Sequence, residues 1–409
     1  MTMIEEKVID KKKLTVITCR PIWPITGGDS LRIYKIIEYL EQFFDVTVVY
    51  GYHSGAIDTE DFPLVGVKLV HAPISIIGCM YRGILSLLMG RSFQTNFYHS
   101  KKFKKAAQAE VDASDYVLMH LIRTVDLVDV SKKEGVVYEL TDAISMNYLR
   151  ISWKDSFSSL KNIVFKWEGP KLLKAEINAL TRGCNSSFIS QVDRQFICDH
   201  STTKSVYSRT FIYGNGVDFE MFPYGELSEE ELTDKVNLLF IGNMFSAQNQ
   251  SMVKEILYSI LPKIKPGLVS EVLLVGKYPQ SFRQSLGEHD KVVWTGIVDD
   301  FKEISINRYI GLCPMTFGAG VQNKVLNYFA LGCPVVTTKS GIEGIEATEG
   351  VHYLGANTSQ DFVNAIESLL SEEEAFLKYR REAFKLVRTL YSWEGQLSGY
   401  EMMFRKRKP

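Results

Sequence analysis

A chain of 409 residues is long enough for two or three domains, each with its own core. Its composition, 45% hydrophobic and 23% charged, is that of a globular protein, and a formal net charge of −1 speaks against bulk nucleic-acid binding, which calls for a strong positive excess. The six cysteines (Cys19, Cys79, Cys184, Cys198, Cys313, Cys333) are scattered without a CxxC pair, which favours core thiols in a reducing cytoplasm over disulfides or a zinc site.

The polar stretch 1–13 lacks the apolar core of a signal peptide. Leu14 to Cys19 is a short apolar run expected to be a buried first strand. A loop carrying Pro21, Pro24 and the pair Gly27-Gly28 follows. A helix is then predicted from Ser30 to Phe43, with Asp29 or Ser30 as its N-cap and Leu31, Tyr34, Ile37 and Leu40 as its buried stripe. Val46 to Tyr50 is the next strand, and a strand–loop–helix–strand order signals a parallel sheet with right-handed crossovers. Further strands are expected at Val67 to Val70, Tyr116 to Met119, Val136 to Leu140 and Ser187 to Ser190.

Between Ile74 and Gln108 the pattern is helical. Its apolar part, Ile74 to Met89, is interrupted by Arg82 and falls short of a membrane span. From Arg91 to Lys105, Phe93, Phe97, Tyr98 and Phe103 alternate with Arg91, Lys101, Lys102, Lys104 and Lys105. Two readings stand: a solvated helix over a sheet edge, or a contact with an anionic lipid surface.

Asn215-Gly216 is a turn signal, and the polar run Gly225 to Lys235 reads as a linker. A second α/β series opens at Val236 to Met244. Strands recur at Glu271 to Val275, Val292 to Trp294, Tyr309 to Cys313 and Pro334 to Thr338, followed by amphipathic helices at Ser359 to Leu370 and Glu373 to Leu390. Two doubly wound sheets in one chain bind ligands beyond the carboxyl ends of their strands, and two such ends facing each other make a cleft.

The stretch Phe317 to Val336 reads as a glycine-rich loop, a helix from Val321 to Leu331 closed by Gly332 and Pro334, and a buried strand. Gly318 and Gly320 allow backbone amides to approach a ligand at a helix N-terminus. Lys324 lies one turn in, and Asn327 follows at i+3 on the same face. Such a cradle suits a diphosphate and its sugar; an ordinary loop–helix–strand unit has the same spacing.

Taken together, these passages resemble the GT-B glycosyltransferases, in particular the large retaining group called glycosyltransferase family 4. The resemblance rests on Gly27-Gly28, Asn215-Gly216-Val217-Asp218 with Phe222, and Leu239-Phe240-Ile241-Gly242-Asn243-Met244. It continues through Val292 to Gly296, Phe317 to Thr338, Gly341-Ile342-Glu343-Gly344 and Ser392-Trp393-Glu394, in the family's order over almost the whole chain. It implies two Rossmann-like domains facing each other across a cleft: an N-terminal acceptor-side domain over 1–225 and a C-terminal nucleotide-sugar domain over 226–390. The last helix, 391–409, is expected to cross back to the first domain.

The resemblance further implies transfer of a sugar from a nucleotide-diphosphate donor to a glycan or lipid-linked acceptor, without a bound metal or other cofactor. No Asp-x-Asp motif is present. Gly27, Gly28, Gly242, Asn243, Gly318, Ala319, Gly320, Val321 and Asn327 fall at donor-binding positions, and Lys324 faces the diphosphate. Asn327 occupies the place of a glutamate that binds ribose, and Gly318-Ala319 the place of one that contacts the donor sugar. Asn243, Gln248, Asn249 and Gln250 stand where basic residues are usual, which leaves phosphate charge to Lys324 and backbone amides, with Arg32 or Arg123 as helpers. His120 matches a histidine set against the transferred sugar, or is a loop histidine. Asp142 faces the acceptor hydroxyl or caps a helix. The expected location is cytoplasmic, either free or associated with the inner face of a membrane. A non-catalytic GT-B partner subunit and a nucleotide-sugar epimerase are the alternatives.

Overall fold

The structure, a computed structural model, describes residues 11–405 except 26, 54, 58–60, 155–159, 229, 231, 233–234, 299 and 317–319; of 151–154 and 160–163 it describes the backbone alone. The chain divides into two compact units, one formed by residues 1–213 with 397–409 and the other by 214–396.

In the first unit the strands are β1 (Lys12–Thr18), β2 (Phe44–Tyr52), β3 (Lys68–Pro73), β4 (Tyr116–His120), β5 (Gly135–Thr141), β6 (Asn185–Phe188) and β7 (Thr210–Ile212). They form one parallel seven-stranded sheet in the order β3-β2-β1-β4-β5-β6-β7. Leu14 of β1 pairs with Val46 on one side and Tyr116 on the other. Winding therefore reverses between β1 and β4, and the loops leaving those two strands part to opposite faces, which opens a crevice at their carboxyl ends. Leu14, Val16, Ile17, Val48, Val49, Val117, Leu118 and Val137 are almost fully buried, as expected of strands covered on both faces.

The first helix runs Gly28–Leu40, two residues earlier than predicted. Gly27 is its N-cap, in place of Asp29 or Ser30, because the Ser30 hydroxyl turns back to the Gly27 amide (3.1 Å) and carbonyl (2.9 Å). Its buried stripe includes Ile33 and Ile36 besides Tyr34, Ile37 and Leu40, whereas Leu31 is half-buried. Arg32, a candidate for donor charge, is also buried there. Its Nε donates to Glu139 Oε1 at 2.8 Å and a terminal nitrogen donates to the Tyr213 carbonyl at 2.7 Å. Glu139 is itself fully buried and further accepts from Tyr400 Oη at 2.8 Å and from Ser187 Oγ. Arg32 is thus committed to the core of the first unit and is not a phosphate ligand.

The C-terminal segment secures the amino edge of this sheet. Met403 accepts from Asn185 at the start of β6, and the Phe404 ring lies 5.4 Å from Phe44 at the start of β2.

The second unit holds β8 (Val236–Ile241), β9 (Val269–Val275), β10 (Val292–Gly296), β11 (Tyr309–Cys313), β12 (Val335–Thr337) and β13 (Leu354–Gly355), parallel in the order β10-β9-β8-β11-β12-β13. Winding reverses between β8 and β11. The pair β8–β9 ends in a close backbone approach: Gly276, at φ +124°, has no room for a Cβ, which would stand 2.2 Å from the Gly242 carbonyl oxygen. β13 carries no signal in the sequence; two residues of pairing to β12 define it. Val217 pairs with Ser392, and its amide donates to the Tyr391 carbonyl at 2.7 Å, tying both ends of this unit together.

Candidate functional site

In the second unit, the loop after β8 and the loop after β11 flank the point where winding reverses. Gly242 follows β8, its amide bonded to the Val275 carbonyl at 2.9 Å. Asn243 is exposed and serves the loop: its Oδ1 accepts from the Phe245 amide at 3.0 Å, and its carbonyl accepts from Asn249 Nδ2 at 2.8 Å. These bonds hold Asn249 with its Oδ1 directed to Lys324 Nζ, 3.0 Å away.

The helix of the second loop spans Asn323–Ala330, shorter than the predicted Val321 to Leu331, with Gln322 as N-cap. Lys324 is consequently the second helical residue, not one turn in. Its ammonium is buried, bonded to Asn249 Oδ1 and, at 3.2 Å, to Gln322 Oε1, and it lies 5.4 Å from the centre of the Phe240 ring. No carboxylate is paired with it among the described residues. Burial lowers its pKa, because the ammonium loses its hydration and its hydrogen bonds go to neutral amides, against a smaller opposing pull from Cys313. Gly320 adopts φ +85°, a left-handed conformation that glycine tolerates. Its carbonyl accepts from Gln322 Nε2 at 3.2 Å, and Val321 packs against the core. Asn327 is half-buried on the same helix. Gly318 and Ala319 lie outside the described residues.

By sequence, Asn249 stands where a basic residue is usual, and Gln322 carries no mark of its own. The structure makes both the immediate partners of Lys324. The available signal was their shared side-chain type, an acceptor oxygen suited to holding an ammonium without neutralising it.

In the first unit, His120 is the last residue of β4, buried and beside β1. Its Nδ1 is 3.3 Å from Thr18 Oγ1, while Nε2 is buried without a partner among the described residues. It is not a solvated loop histidine. Burial pushes its pKa down to about 4, against the opposing pull of Glu139 and Asp29, so the ring is neutral at physiological pH. Asp142 follows β5. It does not cap the helix Ile144–Lys154, since the Ser145 amide is taken by Glu176 Oε1 at 3.3 Å; the Asp142 carboxylate accepts from Asn147 Nδ2 at 3.4 Å. Burial and the nearby Asp193 carboxylate raise its pKa to about 7.

Asp29, on the first turn after Gly27-Gly28, acts electrostatically on both His120 and Asp142, which places all three around the carboxyl ends of β1, β4 and β5. Gly27 and Gly28 are exposed there, with open space beside the Gly27 Cα. Leu121 and Thr141, directly after β4 and at the end of β5, both have φ of 67°. Left-handed backbone at a leucine and a β-branched threonine stores strain, and such strain concentrates where a site fixes its geometry. Sequence offers no warning of it, since neither residue favours that conformation. Arg123 remains half-buried nearby, its Nε donating to Gln94 Oε1 at 2.7 Å.

Each unit therefore presents polar groups at the reversal of its own sheet: a buried lone ammonium in the second, a neutral histidine and a high-pKa carboxyl in the first. Residues 235–372 match the family of group 1 glycosyl transferases. No curated protein matches the chain in sequence. Among solved structures, sucrose-phosphate synthase from Thermosynechococcus elongatus aligns at 12% identity with a TM-score of 0.72, covering 97% of this chain and 98% of that one. HepE from Anabaena, in complex with UDP and glucose, aligns at 13% identity and TM-score 0.67 over 96% and 98%. WaaG, a glycosyltransferase involved in lipopolysaccharide biosynthesis, aligns at 12% identity and TM-score 0.64 over 95% and 99%. Residues 235–372 are a group 1 glycosyltransferase domain, and the chain that carries them is a glycosyltransferase of the two-domain GT-B fold.

Proposed function

We propose that this chain is a retaining, metal-independent member of family 4 that moves a sugar from a nucleotide-diphosphate sugar to a glycan or lipid-linked acceptor. The observation that carries the donor half of this reading is Lys324, a buried ammonium held by two amides and paired with no carboxylate among the described residues. A cation kept in that state has its strongest interaction in reserve for an anion, and a diphosphate at the reversal point of the sheet supplies one. The UDP bound by the Anabaena neighbour makes uracil the first base to test.

In the reaction, the bond from the anomeric carbon to the β-phosphate oxygen breaks and a bond to the acceptor oxygen forms on the same face. The acceptor proton passes to the departing phosphate oxygen, and the nucleoside diphosphate leaves. Lys324 and loop amides stabilise negative charge developing on the leaving group. His120, neutral by burial, offers Nε2 as a hydrogen-bonding group to the transferred sugar. Asp142, near half-ionised at neutral pH, accepts from or orients the acceptor hydroxyl. A cation from a side chain takes the part a divalent metal takes elsewhere, so a chelator is expected to leave the rate unchanged.

The test is calorimetry with UDP, GDP and ADP, followed by product analysis with the matching nucleotide sugars. The reading requires one diphosphate to bind and its sugar to reach an acceptor with retained anomeric configuration. Nucleotide binding without turnover would make the chain a non-catalytic partner subunit, and conversion of donor without acceptor would make it an epimerase.

A further inference from the structure

The helix Ile76–Leu88 is inside out. Its inward positions are the small residues Cys79, Gly83 and Ser86, all buried. Its outward positions carry the large apolar side chains: Ile77 is 83% exposed, Tyr81 68%, Ile84 51% and Leu88 80%. These four fall at i, i+4, i+7 and i+11, one stripe along a helix. Burial of apolar area drives folding, so a sequence that selects small side chains for the inner face and large ones for water has another partner for the outer face.

The helix is held firmly in that orientation. A Cβ on Gly83 would stand 2.2 Å from the Phe93 ring, so only glycine lets the two helices meet this closely. Arg82 Nε donates to the Phe97 carbonyl at 3.3 Å, and Asn96 Nδ2 donates to Ser86 Oγ at 2.7 Å. The buried Glu168 accepts from the Phe93 amide (3.0 Å) and the Gln94 amide (3.2 Å), fixing the next helix, Phe93–Phe97. The aromatic residues singled out in the sequence are mostly inside this arrangement: Phe103 is fully buried, and Phe93, Phe97 and Tyr98 are half-buried. They support the surface and do not form it.

Charge identifies the partner. The helix Ile76–Leu88 contains no acidic residue, and exposed Arg91 follows it. Lys101, Lys102, Lys104 and Lys105 are exposed at the start of the helix Lys101–Ala113, whose first turn carries no acidic residue. Four ammoniums at the positive end of a helix dipole repel it and one another, a local cost that an anionic surface removes. At 13 residues the apolar helix is about 20 Å long, short of the roughly 30 Å hydrocarbon core of a bilayer. Among the described residues no helix is long and apolar enough to cross a membrane.

We propose that the stripe Ile77, Tyr81, Ile84 and Leu88 lies in the interface of an anionic bilayer, with Lys101, Lys102, Lys104 and Lys105 drawing it to the lipid phosphates. This goes beyond the transfer reaction and stands independently of it. The full chain is tested by co-sedimentation with vesicles of phosphatidylcholine containing phosphatidylglycerol, against phosphatidylcholine alone. Binding to the anionic vesicles is expected, weakened several-fold at roughly 0.5 M salt, where the Debye length shrinks to a few ångströms. The triple variant Ile77→Ser, Ile84→Ser, Leu88→Ser should partition about tenfold or more weaker at unchanged thermal midpoint, because all three side chains are exposed. Lys101→Gln with Lys102→Gln, Lys104→Gln and Lys105→Gln should remove most of the salt dependence. Absence of wild-type binding, or binding undiminished by the triple variant, overturns the proposal. So does a dimer that the triple variant dissociates without any vesicle binding, which would make the stripe a contact between copies. Transfer to a soluble acceptor by the triple variant separates loss of this surface from loss of the catalytic reading.

Discussion

Replacing Lys324 by methionine keeps the length of the side chain and removes its charge. In the free protein the ammonium is buried, and its bonds are to Asn249 Oδ1 (3.0 Å) and Gln322 Oε1 (3.2 Å), both on half-buried side chains. Hydrogen bonds from a charged group contribute about 1.5–3 kcal/mol when fully made, while desolvating an ammonium costs about as much or more. Those terms offset, so Lys324→Met should change folding stability by no more than about 1 kcal/mol in either direction. Bound diphosphate changes the balance. The lost charge-assisted contact should weaken nucleotide diphosphate binding tenfold to about a hundredfold, and turnover should fall about 10²–10³-fold, the range for removing one group that stabilises a developing anion. Urea denaturation gives the first quantity, calorimetry the second and steady-state kinetics the third. Because burial holds the pKa of Lys324 down and an adjacent diphosphate would raise it again, binding at alkaline pH should also take up protons, seen as a buffer-dependent heat. A variant that loses more than about 2 kcal/mol of stability while binding diphosphate at the wild-type affinity would refute the argument, leaving Lys324 a structural residue.

Glu139→Gln should destabilise the first unit by about 3–5 kcal/mol, the usual cost of stranding one partner of a buried ion pair, here Arg32, without altering diphosphate affinity; a nucleotide-binding defect at intact stability would return Arg32 to the donor site. Burial raises Glu176 from 4.5 to about 8, so its contribution to stability is complete below about pH 4 and is lost as pH rises toward 8. Glu176→Gln should therefore leave stability unchanged near pH 4 and raise it by a few kcal/mol, at most about 5, above pH 8 in urea titrations; parallel pH profiles for the two proteins would contradict this. Asp142→Asn should abolish a limb near pH 7 in kcat/KM, whereas a limb that persists would assign it to another group. His120→Ala should lower kcat about tenfold to a hundredfold without moving any limb above pH 5.5, since the ring is already neutral there; an unchanged kcat would remove it from the sugar site.

Local sequence determined the elements and their kind. Apolar runs bounded by glycine and proline mark β1, β4, β5, β8, β9 and β11, because strands covered on both faces need continuous hydrophobic residues whatever their neighbours. The glycine–lysine–glycine–proline stretch from Gly318 to Pro334 named the fold on the same basis. Boundaries were less legible: the Ser30 hydroxyl chose Gly27 as a cap, and Gln322 shortened the helix of Lys324. What only the tertiary structure decided is how each charge is used. Arg32 and Lys324 are both cations on helices that follow glycine loops, and sequence gives no reason to tell them apart. Glu139, 107 positions from Arg32, neutralises one of them, while Asn249 and Gln322 hold the other without cancelling its charge. The left-handed Thr141 and the outward-facing Ile77 and Leu88 likewise contradict local preference. The physical reason is one of range: propensity and periodicity act over a turn or a strand, whereas charge pairing and burial are settled by residues that only the completed fold brings together.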